Sequence, residues 1–192
     1  MTWNKKDNSE KWIKIALRQK YLPKNARVLD LFCGHGEIYK SVYKNNVQFY
    51  LGIDNQKVHD KNICIITNNL NFVSKNDINN FNVFDLDDYG SPWKLLYLIL
   101  KKYTGENATF YLTDGLILKQ KINGNIDKWV SATEKIPKNM NIPGLSRWYI
   151  DIFATMLLDI QKRFNLDILN PVYVFNNKKT VCYWAFKIKK IL

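Results

Sequence analysis

The chain is short of the residues that several specialised classes of protein need. Three cysteines in 192 residues, Cys33, Cys64 and Cys182, lack metal-ligand spacing and are too few for a disulfide scaffold. Each sits in or near an apolar stretch and reads as a small core residue in a reducing cytoplasm. The two histidines, His35 and His59, stand isolated, so neither a histidine metal cluster nor a partnered histidine base is in sight. No apolar run reaches the ~18 residues of a membrane-spanning helix. The start, Met1 to Glu10, is polar and reads as no secretory leader. These absences predict a cytoplasmic protein with no membrane partner.

Arginine is the other scarcity. Only 4 of the 29 basic residues are arginine and 25 are lysine, for a formal charge of +12. Such an excess suggests an anionic partner, nucleic acid above all. The lysines run along the whole chain, however, beside many Asn, Ile and Tyr residues. That is the bias of an AT-rich coding sequence, and lysine also serves as plain solvated surface. The end is denser, with Lys178, Lys179, Lys187, Lys189 and Lys190. What the chain does have is an apolar content of 46%, with 14% aromatics, enough for a folded domain with a sizeable core. No repeat, linker or second domain is visible, so residues 1–192 read as one domain, with a loop-rich insertion at about 115–145 broken by Gly115, Gly124, Pro137, Pro143 and Gly144.

The most informative stretch is VLDLFCGHGE at 28–37. An apolar run ends in two glycines one residue apart, and residues 38–43 then take helical spacing; this is strand, tight turn, helix. Glycine takes positive φ and lets backbone N–H groups approach a ligand, and the turn points a helix N-terminus at it. An ordinary strand-to-helix turn has the same pattern. A second apolar strand, 49–54, ends in Asp54, 18 residues beyond Gly36, close to the ~20-residue spacing at which an acid meets ribose hydroxyls. Tyr39 stands where G-x-G-x-x-G has its third glycine, which argues against a pyrophosphate on this turn and so against NAD.

VLDLFCGHGE resembles the first motif of class I S-adenosylmethionine (SAM)-dependent methyltransferases, and LGID at 51–54 resembles their second. The resemblance implies an α/β fold: a Rossmann-like, doubly wound seven-stranded sheet with an antiparallel last strand. It implies SAM as cofactor, with Asp30, Phe32, Gly34 and Gly36 around its amino-acid part and Asp54 on the ribose. An acid after the third strand meets the adenine amino group in that family. Residues 72–77 read as a short third strand, so the resemblance gives Asp77 that place; Asp85 completes the expected cofactor set.

Around these motifs the chain predicts a covering helix with Asp7 as cap, Glu10 reaching back, and Trp12, Ile13, Ala16, Leu17 and Tyr21 as its apolar stripe. Residues 63–66 fit a short helix or a strand. Residues 81–86 form an apolar strand whose carboxyl end delivers Asp85, Asp87 and Asp88, the edge at which open α/β sheets bind ligands. A helix follows from Trp93, with Ser91 as cap and Pro92 at its first position. Residues 108–114 are a strand ending in Asp114. Ser146 opens a long helix with Tyr149, Ile150, Phe153, Ala154, Leu157 and Leu158 on one face. Residues 172–175 and 180–188 pair as a hairpin whose last strand is apolar on both faces and therefore interior.

Methyl transfer from a sulfonium is an in-line displacement in which the enzyme supplies alignment. An exocyclic base amine needs an acceptor beside each N–H to draw its lone pair out of conjugation. In Asp87-Asp88-Tyr89-Gly90, Asp87 is the candidate acceptor, the Asp88 carbonyl the second, and Tyr89 the stacking ring; a base in a stem must first be extruded. Residues 84–115, with DLDDYGSP and LTDG, resemble the tRNA (guanine-N2) dimethyltransferase family. Here Asp88 stands where that family has proline, and the chain lacks that family's extra RNA-binding domain, leaving recognition to the insertion, the basic surface or a partner protein. The expectation is a SAM-dependent N-methyltransferase acting on nucleic acid, RNA before DNA. Alternatives stay open: a DNA or protein amine, a SAM-binding subunit without catalysis, caps at Asp85 or Asp88, or a divalent ion held by Asp85, Asp87 and Asp114. Cytosine-C5 chemistry needs a cysteine in Pro-Cys or Thr-Cys, and neither dipeptide occurs.

Overall fold

A computed structural model describes residues 10–56, 63–88, 90–115 and 142–191, with the side chains of the last segment described from Tyr149. Seven strands form one sheet: β1 (Arg27–Asp30), β2 (Phe49–Asp54), β3 (Cys64–Ile66), β4 (Val83–Leu86), β5 (Asn107–Asp114), β6 (Leu166–Phe175) and β7 (Cys182–Lys190). Their spatial order is β3-β2-β1-β4-β5-β7-β6. The first five are parallel, and β7 inserts antiparallel between β5 and β6. This is the doubly wound, seven-stranded architecture expected from the motifs. The near-continuous apolar character of β7 follows from its interior place: Cys182, Tyr183, Trp184, Ala185 and Phe186 are all buried.

Helix α1 (Lys11–Tyr21) and a helical segment after the glycine turn cover one face, with Ile13, Leu17, Val42 and Tyr43 packed on Val28, Val83, Tyr111 and Tyr183. Helices α2 (Asn69–Lys75), α3 (Trp93–Lys102) and α4 (Ile142–Phe164) cover the other. There Trp93, Leu96, Ile99, Phe153 and Ile160 meet Leu29, Phe84, Phe110 and Phe186. The segment after the turn widens into a π-helical turn at Tyr39–Tyr43, closed by Lys44 N donating to Tyr39 O at 2.8 Å.

Several expectations are corrected. Residues 72–77 are not a strand: α2 spans most of them, started by the Asn68 side chain accepting from Asn71 N. The third strand is Cys64–Ile66, the strand alternative for 63–66. The alternation in Phe72-Val73-Ser74 is also compatible with a helix, in which Val73 is fully buried, Phe72 is half-buried against the core and Ser74 is exposed. Trp12 is 63% exposed and Ala16 is exposed as well; Arg18 takes the buried place on α1. Glu10 is the cap residue of α1, and the backbone at Asp7 to which it is expected to reach back lies outside the described residues. The Glu10 carboxylate accepts Asn177 N from the β6–β7 turn at 2.9 and 3.0 Å. Ser91 caps nothing: α3 starts at Trp93 with Pro92 as its cap residue, and Ser91 Oγ is buried with no hydrogen-bond partner among the described residues. Leu158 is exposed while Met156 and Ile160 of the same helix are buried. The cap at Asp7, most of the insertion, and Tyr89 lie outside the described residues. Among the described residues, no helix is long and apolar enough to cross a membrane.

Candidate active site

Parallel strands deliver their carboxyl ends to one edge of the sheet, and the candidate residues gather there. Asp30 ends β1 and pairs in register with Gly52 on one side and Asp85 on the other. The chain then turns through Gly34 and Gly36 at φ of +51° and +71°, values that favour glycine. The turn is tied down twice. Cys33 N donates to Ile53 O at 3.1 Å, and Gly34 N donates to the Asp54 carboxylate at 2.9 Å. Asp54 also accepts Gln56 N at 2.9 Å. Gly52, within the second motif, serves a different need, because a Cβ there would lie 2.8 Å from Cys33 Cβ and 3.0 Å from Ile63 O. The close approach of the turn, β2 and the start of β3 therefore requires a residue without a side chain.

Asp30 is buried and accepts from Tyr50 Oη at 2.8 Å and from Phe32 N at 3.1 Å. Burial and the neighbouring Asp85 carboxylate push its carboxyl well above the usual range, against the pull of the Tyr50 hydrogen bond. Asp85 is buried too, but it holds a full ion pair. Arg18 reaches it from α1 with Nε and Nη2 at 2.6 and 2.5 Å, and Tyr43 Oη donates at 2.6 Å. Arg18 in turn is anchored by donating to Lys14 O.

Asp87, two residues on, faces the same side as Asp85. Lys14 Nζ stands 2.7 Å from one of its carboxylate oxygens and donates to the other at 3.0 Å, both side chains being mostly buried. The same ammonium lies over the Tyr183 ring. The Thr113 hydroxyl faces the Asp87 carboxylate without completing an aligned hydrogen bond. Burial drives the Asp87 carboxyl up, but the charges of Lys14 and Arg18 outweigh it and hold the group below the ordinary carboxylate range. Gly115 N donates to Gly90 O at 2.8 Å, so the two resembling segments, 87–92 and 113–115, lie against each other.

Asp114 faces the other side of the sheet. It accepts from Trp93 Nε1 at 3.0 Å and Tyr149 Oη at 2.6 Å, and Trp184 Nε1 donates to that same Tyr149 oxygen at 3.2 Å. Asp85 and Asp87 therefore engage α1 while Asp114 engages α3 and α4. Among the described residues, no three metal-ligating side chains come together.

Asp77, expected at the end of the third strand, follows α2 instead, is exposed, and accepts from Asn79. The residues that follow β3 are Thr67, Asn68 and Asn69. Asn69 is buried, and its Oδ1 has no partner among the described residues. Asn68-Asn69 was missed because a true β3 of three residues carries no periodicity signal. Lys14 was missed because α1 reads as a covering helix. The tip of the β6–β7 hairpin carries exposed Lys178 and Lys179 and lies at this same edge, since Cys182 pairs with Asp114 and Phe175. Lys187 and Lys189 pair with Thr109 and Asn107 toward the opposite edge.

The strand order, the antiparallel β7 and the glycine turn after β1 define the fold of class I SAM-dependent methyltransferases. Solved structures bear this out. The chain superimposes on the N-methyltransferase NodS from Bradyrhizobium japonicum, solved with S-adenosylhomocysteine, at a TM-score of 0.59 with 8% identity, covering 99% of this chain and 92% of that one. It superimposes on M. jannaschii TYW2, solved with AdoMet, at 0.53 with 10% identity, covering 97% of this chain and 80% of that one. The Burkholderia thailandensis 1,6-didemethyltoxoflavin-N1-methyltransferase gives 0.55 with 12% identity, covering 97% and 80%. No family model and no curated protein matches the sequence.

Proposed function

We propose that the chain is a SAM-dependent methyltransferase that methylates an exocyclic amine of a nucleic-acid base, with RNA favoured. The observation that carries the cofactor half is the clasp between Gly34 N and the Asp54 carboxylate. It holds the positive-φ turn against the acid that would take ribose hydroxyls. The residues present fit the cofactor in three ways. A Cβ at Gly36 would meet only Ile63 Cδ1 at 3.7 Å, so the turn is open on that side. Asp54 keeps carboxylate lone pairs beyond its two backbone donors. Asn69 Oδ1, buried and without a donor among the described residues, suits the adenine amino group in place of Asp77. When bound, SAM supplies the electrophilic methyl group.

Asp87 would accept from the amine that receives the methyl group, with the Asp88 carbonyl as second acceptor and Tyr89 as stacking surface. Lys14 and Arg18 keep Asp87 ionised and so able to accept. Asp85 and Asp30 in this reading shape the edge: Asp85 is taken up by Arg18 and Tyr43. Lys178 and Lys179 would meet phosphates near the base, consistent with an anionic substrate for a +12 chain. Residues 1–192 would act as one domain.

A second reading, a SAM-binding subunit without catalysis, is favoured by one observation: the Lys14 ammonium already occupies the Asp87 carboxylate. The test is transfer of radiolabelled methyl from SAM to tRNA, other RNA, DNA and protein pools, with Asp87→Ala in parallel and S-adenosylhomocysteine binding measured on both. Label in RNA that disappears in Asp87→Ala, with binding retained, supports the first reading. Label in DNA or protein replaces its substrate. Binding without transfer, in every pool, selects the second.

A further inference from the structure

Beneath the glycine turn two thiols meet. Cys33, the residue before Gly34, donates its S–H to Cys64 Sγ at 2.8 Å, across a sequence separation of 31. Both are buried and form a small cluster apart from the two main cores. Cys33 is fixed by its backbone: its N–H is bonded to Ile53 O and its carbonyl accepts Gly36 N. Cys64 is fixed as the first residue of β3, in register with Gly52. The absent side chain at Gly52 leaves room for the Cys33 sulfur, which lies 2.9 Å from where a Cβ would be. The contact is thus built by three strands and a turn, and is not a chance encounter of mobile side chains.

We infer that Cys33 and Cys64 are a reversible redox pair that closes to a disulfide and staples the cofactor-binding turn to the edge strand β3. A disulfide bond of about 2.05 Å asks the two sulfurs to close by roughly 0.75 Å from their 2.8 Å contact. The oxidant is a low-molecular-weight disulfide. The Cys64 thiolate attacks one of its sulfurs, forming a mixed disulfide and releasing one small thiolate. The Cys33 sulfur, losing its proton, then attacks Cys64 Sγ; the protein disulfide forms and the second small thiol leaves. Two hydrogens leave the protein, and two small thiols are produced. The hydrogen bond from Cys33 favours the thiolate on Cys64, although burial pushes both thiols up. The attack therefore begins at Cys64, and closure is slow. Once formed, the staple ties Cys33 of the turn to Cys64, a few residues before Asn69, so it spans both candidate cofactor contacts.

The test uses the full chain incubated with oxidised glutathione, then alkylated under denaturing conditions and weighed intact. The expected product has lost two hydrogens and takes up label only at Cys182, which is buried and makes no thiol contact of this kind. Closing a loop of 31 residues should raise the thermal midpoint by roughly 7–15 °C, and dithiothreitol should reverse the rise. Cys33→Ser and Cys64→Ser keep the fold with one thiol fewer, and should show neither the mass loss nor the rise. Full alkylation of all three cysteines, glutathione adducts that persist, a disulfide-linked dimer, or a closed form with an unchanged or lower midpoint would each overturn the pair.

Discussion

Replacing Arg18 with methionine tests how the acids at the sheet edge are held. Arg18 and Asp85 are each 1% exposed, with guanidinium contacts of 2.6 and 2.5 Å. Removing one partner of such a buried pair leaves an uncompensated charge and costs roughly 3–5 kcal/mol. For a chain of this size each 1 kcal/mol is about 2–4 °C in the thermal midpoint, so Arg18→Met should fall by roughly 6–20 °C. Asp85 keeps the Tyr43 hydroxyl, which places the loss toward the lower half of that span. The double variant Arg18→Met with Asp85→Leu removes both desolvated charges and should recover most of the loss, because an apolar pair of similar volume is often as stable as a buried ion pair. It also relieves Asp30, whose carboxyl is raised partly by Asp85. Urea and thermal denaturation of the four members of the cycle give the coupling. Titration with S-adenosylhomocysteine shows whether the cofactor site survives. A single variant within about 1 kcal/mol of wild type would refute the buried-pair account. A folded double variant that binds S-adenosylhomocysteine about tenfold more weakly, 1.4 kcal/mol, would return Asp85 to the cofactor.

Three other outcomes are expected. Gly34→Ala places a side chain at φ +51°, a strain of about 1–2 kcal/mol, and should lower the thermal midpoint by roughly 2–8 °C; calorimetry reads it directly. The Asp87 carboxyl is held below its usual value by Lys14 and Arg18 against burial, so its stabilising contribution is full above the unfolded carboxyl's value of about 3.9 and is lost as pH falls through the lower folded value. The gap in thermal midpoint between wild type and Lys14→Met should therefore be constant near neutrality and shrink in acid; a gap that widens below about pH 4 contradicts the sign. Replacing Lys178 and Lys179 with glutamine should weaken RNA binding and reduce the slope of log affinity against log salt by about 1.4–1.8, whereas Lys187→Gln with Lys189→Gln should leave methyl transfer unchanged.

The parts of this fold that could be read in the sequence are those where local pattern and long-range need agree. The strand before the glycine turn and the twice-apolar β7 are buried on both faces over most of their length, and the strand ending in Asp54 is an apolar run between polar turns although only Gly52 and Ile53 of it are fully buried, so their composition announces them. The pairing of Gly34 with Asp54 follows once both motifs are placed on adjacent strands. What was illegible depended on partners distant along the chain. Arg18 on a helix looks like surface charge until Asp85 is seen opposite it. Lys14 carries no local mark of its contact with Asp87. Residues 72–77 alternate like a strand, but Asn68 offers a cap to Asn71 N, and that side-chain bond starts a helix which the apolar pattern alone does not reveal. Cys33 and Cys64 look scattered in sequence because only the β1–β2–β3 register brings them into contact.

Helix α1 has consequences for the order in which the molecule can be completed during synthesis. Its partners are made late: Asp85 lies 67 residues beyond Arg18, and Asn177 lies 167 beyond Glu10. At about 5–20 residues per second on the ribosome, Arg18 waits roughly 3–13 s for the carboxylate that neutralises it, and Glu10 waits longer still for the last turn. A helix that must bury a guanidinium has reason to stay undocked over that interval. Its late arrival would close the face on which Asp85 and Asp87 lie, joining the beginning, middle and end of the chain in a single final step.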